Sequence, residues 1–226
     1  MFGAIARSYD LNNRVHSLWR DQAWRRHAVR RAGVKPTDIV LDVACGTGDL
    51  TEAFARAGAA RVIGVDFTPE MLEIAQGRRR KLRERVAGRI EYRLGDAQNL
   101  PIPDASVDVV SIAFGIRNVA DPARAVREMR RVLRPGGRVV ILEFGRPRWA
   151  PVRWFNELYC KRIMPWTATL LSGDRSGAYR YLPASVETFM TEGEMCDLLR
   201  ASGFSGVGAE GLTFGICTCY RGVVGG

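Results

Sequence analysis

The sequence predicts an α/β domain: a mostly parallel, doubly wound sheet with helices on both faces. Three observations predict it. Short apolar runs alternate with helical patterns along most of the chain, the signature of parallel strands joined by crossover helices. The runs are nearly unbroken in apolar character, as strands buried on both sides are; Val109, Val110, Ile112, Ala113 and Phe114 are an example. Their ends carry glycine turns or carboxylates, the positions where such sheets hold ligands. At 226 residues the chain has the length of one domain, enough to bury roughly 70% of its unfolded surface.

Each element follows in order. Ile39, Val40, Leu41 and Val43 read as the first strand. A glycine turn follows, and Thr51 to Arg56 begin a helix that Gly58 ends. Arg61 to Asp66 form the second strand. "TPEMLEIAQGRRRKLRE" reads as one helix, with Thr68 at its N-cap and Pro69 at N1. "RIEYRLGDA", "SVDVVSIAFG" and "GRVVILEFG" are the third, fourth and fifth strands. Between the last two, Ala125, Val126, Met129, Val132 and Leu133 recur at helical spacing, from an Asp121 cap to a Pro135-Gly136-Gly137 stop. "TEGEMCDLLRASGF" is a closing helix, and "SGVGAE" and "LTFGICTCY" mark two more strands. The expected whole is a Rossmann-like, mostly parallel seven-stranded sheet with an antiparallel C-terminal strand. The segment from Arg146 to Pro183 breaks the alternation and is aromatic and basic, as a helical lid or substrate insertion would be. The predicted division of this single domain is a helical cover over 1–35, a cofactor-binding core over 36–145, the insertion over 146–183, and a C-terminal helix and strands over 184–226.

Composition narrows the function. The net charge of +10 comes mostly from arginines clustered in Trp24–Arg31 and Gly77–Arg89. Such a surface suits nucleic acid, an anionic membrane face or plain solvation. No apolar run approaches the ~20 residues a spanning helix needs, and the first residues show no secretory h-region. The five cysteines have no zinc-site spacing and are an odd number. Buried, reduced thiols in a cytoplasmic protein are therefore expected, with no metal.

The principle that ligands sit beyond the carboxyl ends of the strands places Gly46, Asp66, Asp96 and Arg117 in one crevice. The dinucleotide fingerprint needs a third glycine where Thr51 stands, and Asp49 in the turn disfavours a phosphate. Both features argue for an adenosine ligand without pyrophosphate. Asp66 is placed to accept both ribose hydroxyls. Asp96 is placed to accept from the adenine amino group, with the Ala97 backbone at the ring edge. "SIAFGIRNVAD" leaves two readings of Arg117: it pairs with Asp121 across the helix start, or it faces a bound acceptor.

"VLDVACGTGDLT", "VIGVDFTPEMLEIA", "GDAQNLPIPDASVDVV" and "REMRRVLRPGGRVVILEF" together resemble the class I S-adenosylmethionine-dependent methyltransferases, over about Val40 to Phe144. A narrower resemblance covers nearly the whole chain through "IARSYDLNNRVHSLWRDQAWRR", "FGIRNVAD", "YRYLPASV" and "FGICTCYRG". It is to the quinone C-methyltransferases of menaquinone and ubiquinone biosynthesis. The resemblance implies S-adenosyl-L-methionine as cofactor, held by Asp42, Gly46, Thr47, Gly48, Asp66, Phe67, Asp96, Ala97 and Ala113. It implies Arg117 and Asn118 as catalytic residues, Arg117 holding the negative charge of a quinol oxygen. Beside what the resemblance implies, Tyr9, Tyr179 and His16 are candidates for the substrate wall, although His16 matches no histidine of the family. The implied reaction is C-methylation of a polyprenyl quinol, a demethylmenaquinol first and a benzoquinol of ubiquinone biosynthesis as the alternative. A peripheral contact with anionic membrane follows from the aromatic Trp149, Trp154, Phe155 and Trp166 beside the basic face, and a homodimer is allowed for. An RNA substrate is disfavoured, because the Asn/Asp-Pro-Pro-aromatic motif of base-nitrogen methyltransferases is absent after the fourth strand. Three positions depart from the family pattern: Gly is common where Cys45 and Trp19 stand, and Ser where Ala113 stands.

Overall fold

The computed structural model describes residues 14–147, 149–163, 167 and 185–225. Seven strands form one sheet in the order β3-β2-β1-β4-β5-β7-β6. They are β1 (Ile39–Val43), β2 (Arg61–Asp66), β3 (Ile90–Leu94), β4 (Val107–Ala113), β5 (Leu133–Phe144), β6 (Phe204–Leu212) and β7 (Cys217–Val224). The first five pair in parallel, and β7 runs antiparallel to both neighbours. Strand order therefore reverses between β1 and β4.

The helices that accompany the strands include α1 (Arg20–Ala32), α2 (Asp49–Ala57), α3 (Pro69–Arg79), α4 (Glu84–Ala87), α5 (Pro122–Val132), α6 (Ala150–Leu158) and α7 (Glu192–Ala201). β1 shows how the pattern divides the core. Val40 joins Trp24 and Ala28 of α1 and Phe54 of α2 on one face. Leu41 and Val43 join Val126 and Met129 of α5 and Leu199 of α7 on the other. Alternate side chains of one strand thus serve two cores, which is why the strand is apolar throughout. In α5, the buried Ala125, Val126, Met129 and Val132 make the stripe that the sequence spacing foretold. Burying each of its larger side chains contributes about 1.5–3 kcal/mol.

Two boundaries differ from expectation. The helix from Pro69 stops at Arg79, and α4 is a separate turn. Only Met71, Leu72 and Ala75 of α3 are buried, and Arg78, Arg79, Arg80 and Lys81 that follow repel one another along a helix. β5 begins at Leu133 instead of after the glycines, because Leu133 already pairs with Val107 before the register slips. Gly136 absorbs the slip in the left-handed region, at φ 74°.

Of the insertion, α6 and a π-turn at Tyr159–Ile163 are described; Trp166, Tyr179 and Tyr9 lie outside the described residues.

Candidate active site

At the strand-order reversal, β1 leaves the sheet through Ala44 at φ 49° and β4 through Phe114 at φ 59°. A left-handed non-glycine residue costs about 1–3 kcal/mol and persists only where its surroundings hold it. Here the two strained turns hold each other. A Cβ on Gly115 would lie 2.7 Å from the Ala44 Cβ, so only glycine lets the turns meet. The Phe114 N–H donates to the Leu142 carbonyl at 2.8 Å and the Cys45 N–H to Val65 at 3.0 Å, pinning each exit to the adjacent strand.

Beyond Ala44 the glycine turn is open on one side. Gly46 has φ 55°, and a Cβ built there would meet nothing within 4 Å. Its N–H donates to Asp66 Oδ2 at 2.7 Å, while Asp66 Oδ1 accepts from the Thr68 N–H at 2.8 Å. Asp66 thus bridges the glycine turn and the start of α3. Phe67, next in the chain, is 75% exposed. Gly48 is closed instead: a Cβ there would come within 2.2 Å of the buried Tyr92 hydroxyl, which has no hydrogen-bond partner. Asp96 lies at the end of β3, where its Oδ1 accepts from the Gln98 N–H at 2.9 Å. The Ala97 side chain is buried in the core, and Ala113, half-buried, ends β4.

Two expected cofactor residues stand behind the turn. Asp42 is 1% exposed and accepts from the Thr51 hydroxyl at 2.6 Å and the Ser111 hydroxyl at 2.9 Å, tying β1 to α2 and β4. Burial raises its carboxyl to about 6, against the pull of both hydroxyls and of Arg25. Thr47 is buried as well, with its hydroxyl accepting from Arg78 at 3.4 Å.

Asp49, the acidic residue of the turn, is itself neutralised. Arg78 lies 2.5 Å from its carboxylate, Arg14 3.4 Å and Arg25 3.9 Å. Burial pushes this carboxyl up, but Arg25 and Arg78 outweigh it and hold it below the usual range. Sequence reasoning missed all three partners: Arg25 and Arg78 sit in runs that read as solvated faces, and Arg14 stands 35 residues away from Asp49.

Beyond Phe114, Ile116–Asn118 form a 3-10 turn. Arg117 does not reach out from it. Its guanidinium, 6% exposed as a side chain, pairs with the buried Glu143 at 2.5 Å. It also donates to the Phe114 carbonyl at 3.0 Å and to Ser185 at 3.3 Å, and lies over the Phe144 ring. The reading that pairs Arg117 with Asp121 is corrected: Asp121 instead caps α5 by accepting from the Arg124 N–H at 2.9 Å, and the partner of Arg117 is Glu143. Asn118 is different: its Nδ2 touches the Phe114 carbonyl at 3.4 Å, and its Oδ1 is buried without a partner. His16, expected in the substrate wall, lies in the segment leading to α1, with Nδ1 2.8 Å from the Tyr159 hydroxyl.

A seven-stranded sheet of this order, with an open glycine turn and an acidic strand end at its switch point, defines a class I methyltransferase architecture. Solved structures share it: a methyltransferase from Thermotoga maritima, described as S-adenosylmethionine-dependent and a possible histamine N-methyltransferase, superposes with a TM-score of 0.67 at 21% identity. That superposition covers 98% of this chain and 97% of the other. The chain belongs to the ubiE/COQ5 methyltransferase family, which it matches over residues 1–224. It is 45% identical over 223 residues to the demethylmenaquinone methyltransferase of Thermus thermophilus, covering 98% of this chain and 99% of that one. It is 40% identical over 224 residues to the ubiquinone/menaquinone biosynthesis C-methyltransferase of Geotalea daltonii, covering 98% and 94%.

Proposed function

We propose that the chain transfers the methyl group of S-adenosyl-L-methionine to a ring carbon of a polyprenyl quinol, most specifically a demethylmenaquinol. One observation carries the reading: the glycine turn and the Phe114–Asn118 turn interlock at Ala44 and Gly115, and Asn118 Oδ1 is a buried acceptor with nothing to accept. Names of near-full-length relatives supply the substrate class.

The residues present fit the cofactor. The open face of Gly46 leaves room for a ligand against the backbone. Asp66 would hold the ribose, Phe67 would stack on the base, and Asp96 would accept from its amino group. Pairing of Asp49 with three arginines removes the acidic repulsion at the turn without offering a pyrophosphate cradle. When bound, S-adenosyl-L-methionine supplies a methyl already activated by a sulfonium.

What the chain must add is alignment and a nucleophilic carbon. In-line positioning can supply about 7–11 kcal/mol. A phenol of pKa ~10 costs about 4 kcal/mol to ionise at pH 7, and the site must offset that. Asn118 would orient a ring hydroxyl through Oδ1. Arg117, held by Glu143, would keep the turn rigid so that Asn118 is aimed before the quinol arrives.

The same reading places the quinol's membrane nearby. Trp154 is 66% and Phe214 71% exposed, the Trp149 and Phe214 rings meet at a tilt with centroids 6.4 Å apart, and Arg153 of α6 is exposed. No helix among the described residues is long and apolar enough to cross a bilayer, so contact would be at the surface. Aromatics would enter the interface while arginines meet anionic lipid.

The experiment supplies methyl-labelled S-adenosylmethionine with reduced demethylmenaquinone, reduced demethylated benzoquinone or total RNA. Label in the naphthoquinol is expected. Label confined to RNA would overturn the reading, and label confined to the benzoquinol would move the substrate to the ubiquinone branch.

A further inference from the structure

C-methylation of a quinol requires the quinol O–H to ionise while the methyl is transferred, and the Arg117–Asn118 turn has no group to take that proton. A guanidinium is not deprotonated in proteins, and an amide is not a base. The chain contains two histidines. His27 pairs with Glu210 at 3.1 Å on an exposed surface. His16 is held quite differently. Arg14 and Gln22, on either side of it, both bond Asp49 at the start of α2, which keeps this segment over the helix that follows the glycine turn. From the other side, the π-turn after α6 brings Tyr159 to His16 Nδ1 at 2.8 Å across 143 residues. Single π-turns occur often at functional sites. His16 Nε2 is buried and has no partner. Burial holds the imidazole below its ordinary 6.5, so it is neutral at pH 7. Burial also keeps Tyr159 and the neighbouring Cys160 protonated. Arg14 is turned toward Asp49.

We propose that His16 is the general base of the methyl transfer and that Tyr159 is its positioning residue. This rests on the quinol reading above. The required tautomer carries its proton on Nδ1, donating to the Tyr159 hydroxyl oxygen, and leaves the Nε2 lone pair for the acceptor. The quinol O–H bond breaks, its electron pair stays on the oxygen, and an N–H bond forms at Nε2. The ring carbon then bonds the methyl as the methyl–sulfur bond breaks toward sulfur. The ring C–H proton then passes to solvent water as the oxygen recovers its proton from His16, so the ring regains its aromaticity and one proton is released to solvent overall.

Two readouts test it. In ¹⁵N-histidine-labelled protein, His16→Asn identifies the resonances of residue 16; the Nδ1–H tautomer is expected, and an Nε2–H tautomer would overturn the proposal. With reduced demethylmenaquinone as substrate, the wild-type kcat/KM falls as pH drops through the His16 pKa, below 6.5. His16→Asn should lose that acid limb and about 10²–10⁴-fold in kcat, with unchanged affinity for S-adenosylmethionine. Tyr159→Phe should keep the limb but shift it, with a smaller loss. Wild-type rate and profile in His16→Asn would refute the base. If the wild-type chain methylates no quinol, the proposed function falls, and the tautomer measurement still judges the pair.

Discussion

At the end of β1 the chain turns through Ala44 into the glycine turn; at the end of β4 it turns through Phe114 into Ile116–Asn118. Both exits are left-handed without glycine, and each is the other's support. Beyond the exits they diverge. Around the glycine turn, the carboxylates of Asp42 and Asp66 are held by hydroxyls and backbone N–H groups. Around the second turn, charge meets charge: Arg117 and Glu143 form a buried pair with no net charge. Strain alone therefore does not reveal what a turn will bind. The difference lies in the polar atoms each turn presents: the Asp66 carboxylate, held by two backbone N–H groups, on one side, and the unpartnered Asn118 Oδ1 on the other.

Variants can break this contrast, and the largest effect is expected at the ion pair. Glu143→Ala strands the Arg117 guanidinium in the core, and removing one partner of a buried pair costs about 3–5 kcal/mol. Denaturant titration should show a loss of that size, with Glu143→Gln losing less. On the cofactor side the signature is pH-dependent. The Asp42 carboxyl titrates at about 6 in the fold against an ordinary 3.8, so the folded state binds the extra proton and stability falls as pH rises between those values. The penalty reaches about 3 kcal/mol above pH 6. Asp42→Asn, which can still bond both hydroxyls, should therefore gain on the wild type by that amount between pH 4 and 7 in paired melting curves. Gly115→Ala attacks the contact between the turns. Overpacking costs about 1–3 kcal/mol, and both cofactor affinity and quinol turnover should suffer together. Tyr92→Phe is the smallest change. It removes a hydroxyl that is buried and unpartnered, so the melting temperature should stay level or rise slightly.

Local signals in the sequence were enough for the sheet. β2 ends where its apolar run ends, and Asp121 caps α5 as its Asp-Pro start implied. What was illegible depended on pairing between distant segments. Asp121 was the nearest carboxylate to Arg117 along the chain, yet the partner is Glu143, 26 residues on, which reaches it because β4 and β5 lie side by side. Arg14, Arg25 and Arg78 converge on Asp49 from three different segments, and nothing local in the sequence separated them from solvated arginines. Trp19, where the sequence resemblance implies glycine, sits at φ 59°, a conformation that glycine adopts without strain.

The division of labour between the two turns is tested most directly by titrating S-adenosylmethionine into Asn118→Ala and then measuring its turnover with reduced demethylmenaquinone. The account predicts wild-type affinity for the cofactor with kcat/KM for the quinol lowered about a hundredfold. Lost cofactor affinity, or undiminished turnover, would contradict it.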